Sequence, residues 1–264
     1  MRSRLPNEHS PAPPSHRLIE LFARYSRGYL RRHFHSARVL RSGSSEPVPG
    51  VPLVIYLNHA SWWDPLVCLL LAQQFFPRRR SHAPISAEAL RRYRFFTKLG
   101  FFPVDQNTRG TIDFLRHADA VLKSERAALW LTPQGRFADV RTRPARFQRG
   151  LGHIASHVAQ AAFMPLAIEY VFWEERLPEI LISFGQPLVV SSEHGLSTDD
   201  ATRLFEVGLT TVQDHLAAAA QRRDPREWTT LVQGGEGVGG FYQMWSRARA
   251  KLRGERYHLA HSPL

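Results

Sequence analysis

Apolar residues recur along this chain with two different periods, and the switches between them mark out the elements. Residues 1–15 are polar and proline-rich and read as a disordered tail. Over residues 16–41 a helical period sets in. Leu18, Ile19, Phe22, Tyr25, Tyr29 and Leu30 form one stripe, and Arg17, Arg24, Arg27, Arg31, Arg32 and Arg38 fill much of the remainder. This predicts a basic amphipathic helix, either lying in a membrane interface or packed on the core as an ordinary surface helix.

A Ser/Gly/Pro loop over 41–50 precedes a short apolar run at 51–57, which reads as a buried strand. Helical spacing returns over 62–76, 88–99, 111–124, 150–161 and 198–221. Further β-rich runs lie at 101–104, 127–132, 163–171 and 179–184, the last closed by the turn Gly185-Gln186-Pro187. Strands alternating with helices predict a single-domain α/β sandwich, with a mostly buried mixed sheet flanked by helices and preceded by the amphipathic helix. The expected organisation is a tail (1–15), a basic helix (16–41), a catalytic-type domain (51–222) and a basic C-terminal segment (223–264). That last segment holds Phe241, Tyr242, Trp245 and Tyr257.

Composition narrows the classes. The only cysteine, Cys68, excludes a disulfide framework and a cysteine-built metal site; in its apolar run it reads as a buried structural thiol. The histidines show no metal-ligand spacing, so no metal is expected. A net charge of +12 implies an anionic partner. Without zinc-finger, RNP or helix-turn-helix signatures, an anionic membrane surface is favoured over nucleic acid. The longest apolar run, 65–77, is interrupted by Gln73 and Gln74 and falls short of the roughly twenty residues a spanning helix needs. No secretory signal is legible at the start. The expectation is a peripheral protein on the cytoplasmic face of a membrane.

The candidate chemistry lies in Asn58-His59-Ala60-Ser61-Trp62-Trp63-Asp64-Pro65. A histidine directly after a buried strand sits at a sheet end, where α/β folds place their sites. It suits proton abstraction near neutral pH, and a carboxylate on its other ring nitrogen would fix the tautomer. Ser61 followed three residues later by Asp64 is also a capping-box pattern, and Pro65 suits a first helical turn. On spacing alone both readings stand.

Asn58-His59-Ala60-Ser61-Trp62-Trp63-Asp64 resembles the N-H-x-S-x-x-D block of the glycerolipid acyltransferases, the family of the lysophosphatidate and glycerol-phosphate acyltransferases. Further blocks follow in that family's order. Gly100-Phe101-Phe102-Pro103-Val104-Asp105 is similar to its second block, and Leu131-Thr132-Pro133-Gln134-Gly135-Arg136-Phe137 to its F-P-E-G-T-R-S block. Phe147-Gln148-Arg149-Gly150 is similar to its Phe-Lys-x-Gly, and Met164-Pro165-Leu166-Ala167-Ile168 to its fourth block.

The resemblance implies that His59 takes the proton of an acceptor hydroxyl while Asp64 orients the ring. The oxygen then attacks a thioester directly, without an acyl-enzyme. Acyl-CoA or acyl-carrier protein would be the co-substrate, with no further cofactor, and a lysophospholipid or related lipid the acceptor. Asn58, Ser61, Arg109, Gln134, Gly135, Arg136 and Arg149 would bind substrate, with Ser61 doubling as a helix cap rather than acting as a nucleophile.

Two positions depart from the family pattern. Gln106 stands where the second block usually has arginine, and Gln134-Gly135-Arg136-Phe137 replaces Glu-Gly-Thr-Arg. Arginines at those places are associated with the acceptor's phosphate, a task suited to the guanidinium fork. Arg109 or Arg136 could substitute, with Arg141, Arg143, Arg146 and Arg149 near in sequence; that cluster equally reads as a solvated loop face. An acceptor without a glycerol-phosphate head, such as a glycolipid, fits the departures. A non-catalytic lipid-binding protein of the same fold is the alternative. A serine hydrolase is disfavoured because the chain has no Gly-x-Ser-x-Gly.

Overall fold

The computed structural model describes residues 14–43, 48–105 and 107–235. Most of the expected tail, Gln106 and the aromatic-rich end from 236 onward lie outside the described residues. The expected α/β sandwich is the fold that forms. A central sheet is built from β1 (Ser36–Leu40), β2 (Leu53–Leu57), β3 (Arg80–Ser86), β4 (Phe101–Val104), β5 (Ala127–Leu131), β6 (Ala161–Val171), β7 (Glu179–Phe184), β8 (Leu188–Val190) and β9 (Trp228–Gln233). Around it lie α1 (His16–His33), α2 (Asp64–Phe75), α3 (Ala87–Arg92), α4 (Thr108–Leu122), α5 (Gly150–His157) and α6 (Thr198–Arg222).

The strand order is β4-β3-β5-β2-β6-β7-β1-β9, with β8 pairing β6. β2 lies parallel to both neighbours, β5 and β6. β7 runs antiparallel to β6, and β9 antiparallel to β1, so the sheet is mixed. The central strands are apolar and buried throughout, as a sheet covered on both faces requires. Alternate residues feed opposite cores. Leu53, Ile55 and Leu57 pack with Leu30 and Phe34 near α1 and with Val67, Leu70 and Leu71 of α2. Val54 and Tyr56 pack instead with Ala118 and Val121 of α4, Leu151 and Ile154 of α5, and Phe205 and Leu209 of α6. α5 and α6 approach so closely at Gly152 that an added Cβ would stand 2.3 Å from the Thr198 carbonyl oxygen.

The structure corrects the sequence reading in several places. The basic helix ends at His33 rather than continuing to 41, and residues 36–40 form a fully buried strand. Arg38 looked like part of a solvated helix face, but it is 5% exposed because Glu179 compensates its charge. The expected helix over 88–99 divides at Tyr93 into α3 and a 3-10 segment, Arg94–Leu99. Strand β9 lies inside what read as a basic C-terminal segment, and β3, next to Arg78 and Arg79, gave no apolar run to find. Among the described residues no helix is long and apolar enough to cross a membrane.

Candidate active site

The parallel strands β2 and β5 end side by side while β6 runs on past them to Val171, and the residues that the sequence singled out follow the ends of β2 and β5. Asn58 is the first residue beyond β2. Its Nδ2 donates to the Ile168 carbonyl at 2.8 Å, and its Oδ1 accepts from the Ile168 N–H at 2.9 Å. At 1% exposure it joins β2 to β6, where the sequence suggested contact with substrate.

His59 follows. The Gln134 Oε1 accepts its backbone N–H at 3.2 Å, and its carbonyl accepts from the Ala138 N–H at 2.9 Å. The loop after β5 therefore holds the histidine backbone from both sides. Gly135 permits that loop: its φ of 66° lies in the left-handed region that favours glycine. The Phe137 ring lies 4.1 Å from the imidazole, centroid to centroid, and is itself 59% exposed.

The chain then turns into α2, whose first residue is Asp64. Its Oδ2 lies 2.7 Å from His59 Nδ1 and also accepts the Ser61 N–H at 3.1 Å; its Oδ1 accepts the Tyr170 hydroxyl at 2.7 Å. Asp64 is 1% exposed, whereas the His59 side chain is 21% exposed. With Nδ1 occupied, Nε2 is the ring nitrogen left to meet a substrate. Burial and the Asp64 carboxylate push the Tyr170 phenol well above its usual range, so it stays a donor. The same two causes push the Cys68 thiol up, which keeps this half-buried residue inert.

Ser61 does not cap α2. The N-cap position is Trp63, without a side-chain bond, and Ser61 Oγ accepts instead from the Trp63 N–H at 3.3 Å. The helix begins only at Asp64, which leaves Ser61 two residues ahead of the cap position. Only the half of the capping box in which the carboxylate reaches back to the Ser61 N–H is formed.

The arginines separate. Arg136 is exposed in the loop that holds His59. Arg149 pairs with Asp199 at 2.8 Å, Arg141 with Asp139 at 2.6 Å, and Arg143 with Asp214. Arg109 sits in the first turn of α4, which follows β4, and β4 lies three strands from β2, on the order of 14 Å away. Among the described residues no hydrogen bond joins any of them to His59 or Asp64.

Sequence reasoning missed two features. Tyr170 was hidden by distance, 106 positions from Asp64, although Met164, Leu166, Ile168 and Tyr170 alternate along β6 and a phenol ending an apolar face was a usable signal. The second is an aromatic chain from α1 into the site. Tyr25 stacks on Tyr29, Tyr29 meets Trp63 at 5.3 Å, Trp63 meets Phe34 at 4.9 Å, and Phe34 meets Tyr170 at 5.8 Å.

Comparison with known proteins gives the same direction. The family model described as Acyltransferase matches residues 37–169, half of the chain. The crystal structure of the 1-acyl-sn-glycerophosphate (LPA) acyltransferase PlsC from Thermotoga maritima superposes with a TM-score of 0.52, covering 76% of this chain and 78% of that one. At 16% identity, that likeness speaks for the fold. No curated protein sequence matches the chain. From the family match over β1 to β6 and the shared sandwich, the chain belongs to the acyltransferase family and has the fold of its glycerolipid branch.

Proposed function

We propose that this protein moves a fatty acyl group from acyl-CoA or acyl-carrier protein to a hydroxyl of a lysophospholipid or related lipid. The observation that carries this reading is the 2.7 Å bond between His59 and a buried Asp64 at the end of a parallel strand. Nε2 takes the proton of the acceptor hydroxyl as its oxygen attacks the thioester carbonyl. The tetrahedral oxyanion then collapses, the carbon–sulfur bond breaks, and the imidazolium returns the proton to the leaving thiolate. Positioned proton transfer of this kind contributes about 10²–10⁴-fold in rate. No cofactor beyond the thioester co-substrate enters the scheme.

The acceptor is read from what flanks His59. Phe137 lies on the imidazole where a guanidinium would favour a phosphate, and Arg141, Arg143 and Arg149 are each engaged by an aspartate. Arg136 is the candidate for an anionic group on either substrate. This supports an acceptor such as a glycolipid, with a glycerol-phosphate head as the competing class. The reaction takes place on the cytoplasmic face of an anionic membrane. Supporting this, α1 exposes Leu21 and Tyr25 together with arginines, and Trp62 is 57% exposed beside the site.

The test is incubation of the purified protein with membrane lipid extract and radiolabelled acyl-CoA or acyl-carrier protein, beside His59→Ala. Labelled lipid with wild type and a loss of at least about 10²-fold in the variant is expected, and the labelled product names the acceptor. No label from either donor, with folded protein that binds vesicles, would instead favour a non-catalytic lipid-binding role.

A further inference from the structure

A buried carboxylate is costly unless its oxygens are bonded, and Asp64 has both filled. Oδ2 serves His59 and the Ser61 N–H, and the Tyr170 hydroxyl serves Oδ1. Packing does not call for that hydroxyl. The neighbours that share its strand face, Met164, Leu166 and Ile168, are apolar, and phenylalanine would keep the ring against Phe34. Tyr170 also lies just beyond the stretch that matches the family model, which ends at residue 169.

We infer that Tyr170 is a positioning residue for the transfer reaction, its hydroxyl fixing the rotation of the Asp64 carboxylate and drawing charge from it. This rests on the reading of His59 as the base. A carboxylate held at one oxygen only can swing about its Cβ–Cγ bond, and the His59 ring swings with it. A bond to Oδ1 removes that freedom and moderates the carboxylate's grip on the imidazolium, which must give its proton back to the leaving thiolate. Hydrogen bonds to charged groups are among the stronger ones, so the hydroxyl has leverage on the dyad.

Among the described residues, titratable groups come toward the pair from several elements. Cys68 approaches from α2 and Tyr170 from β6. From α1, His33 lies against the Trp63 ring, one residue from Asp64. Arg136 is carried by the loop after β5, and Glu169 precedes Tyr170 on the strand. Tyr170→Phe removes one hydroxyl and leaves Cys68, His33, Arg136 and Glu169 in the chain as they are.

The experiment is Tyr170→Phe in the full chain, with incorporation of 3-fluorotyrosine at the same position as the second variant, assayed with the same labelled donor. For the phenylalanine variant, kcat falls about ten-fold or more while the donor KM stays within about two-fold. The acid limb of its kcat/KM profile moves to higher pH by about half a unit, because an unrelieved carboxylate holds the imidazolium more tightly. Fluorotyrosine has nearly the same shape but is a stronger donor, so it moves the limb to lower pH.

Opposite displacements support the inference, since a packing defect would not change sign with donor strength. An unmoved profile, or displacement in the same direction by both variants, overturns it. If Tyr170→Phe does not fold, the direction of the fluorotyrosine displacement decides alone. Retained His59-dependent transfer with unmoved variants overturns this inference only, whereas absence of His59-dependent transfer in wild type overturns the reading on which it rests.

Discussion

Where β2 runs out of backbone, Asn58 continues its hydrogen bonding with a side chain, returning a donor and an acceptor to Ile168 on the neighbouring strand. Asn58→Ala removes both bonds and leaves two buried backbone groups of β6 without partners. Such groups cost about 1–3 kcal/mol each when left unmet, so a loss of roughly 2–4 kcal/mol in unfolding free energy is expected from urea denaturation. A smaller loss would mean that water enters to replace the amide. The contact of His59 with Asp64 was one of two readings that strand end, spacing and turn left open, and the resemblance of the surrounding blocks favoured it over a helix cap. Which atoms Asn58 and Tyr170 bond to could not be identified, since their partners lie 110 and 106 positions away. Local pattern reports which face of an element is apolar, and it is silent on which distant atom that face meets. At Ser61 the capping box was a sound local expectation of which only the Asp64 half formed, because α2 begins at Asp64 and leaves Ser61 outside the cap position.

Helix α1 shows how far periodicity reaches and where it stops. The stripe of Leu18, Phe22, Tyr29 and Leu30 correctly gave a helix, but the period was followed through Arg38 because an arginine ordinarily marks a solvated position. The outside of α1 includes Leu21 and Tyr25 among Arg17, Arg24, Arg27, Arg31 and Arg32, with Glu20 the one acidic residue there. Each basic residue close to an anionic surface contributes about 1 kcal/mol, so Arg17→Glu with Arg24→Glu should lower affinity for phosphatidylglycerol vesicles about ten-fold or more in sedimentation. Binding to vesicles of neutral lipid should change little, and the far-ultraviolet dichroism should stay that of wild type. Equal loss on both vesicle types would mean that the substitutions unfolded the helix rather than its electrostatics.

Over the whole molecule, the two ends of the described chain meet in one sheet. β1 lies between β7 and β9, and a buried cluster joins it to β7: Arg38 donates to Glu179 at 3.1 and 3.3 Å and to Ser36 Oγ at 2.6 Å, and the Ser36 hydroxyl donates to Glu179. Glu179→Gln leaves the Arg38 charge buried without its counter-ion. Breaking such a pair costs about 3–5 kcal/mol, and because β1 sits between two other strands the loss should appear in the single global transition followed by calorimetry. A local loosening that leaves the main transition in place would overturn that expectation. The sandwich itself was legible because strands and helices alternate; β1 was not, because Arg38 makes it read as a polar stretch and only its pair with the distant Glu179 makes that arginine compatible with burial.

That arrangement also sets an order in time. β1 is synthesised well before either neighbour: it has no strand beside it until residues 179–184 have emerged, and its other edge stays open until 228–233 follow. Contacts of such sequence separation are slow to form. On the ribosome, then, the earliest strand is among the last to be enclosed. In the interval its bare backbone edges are open to pairing with another strand, the kind of surface that chaperones shield.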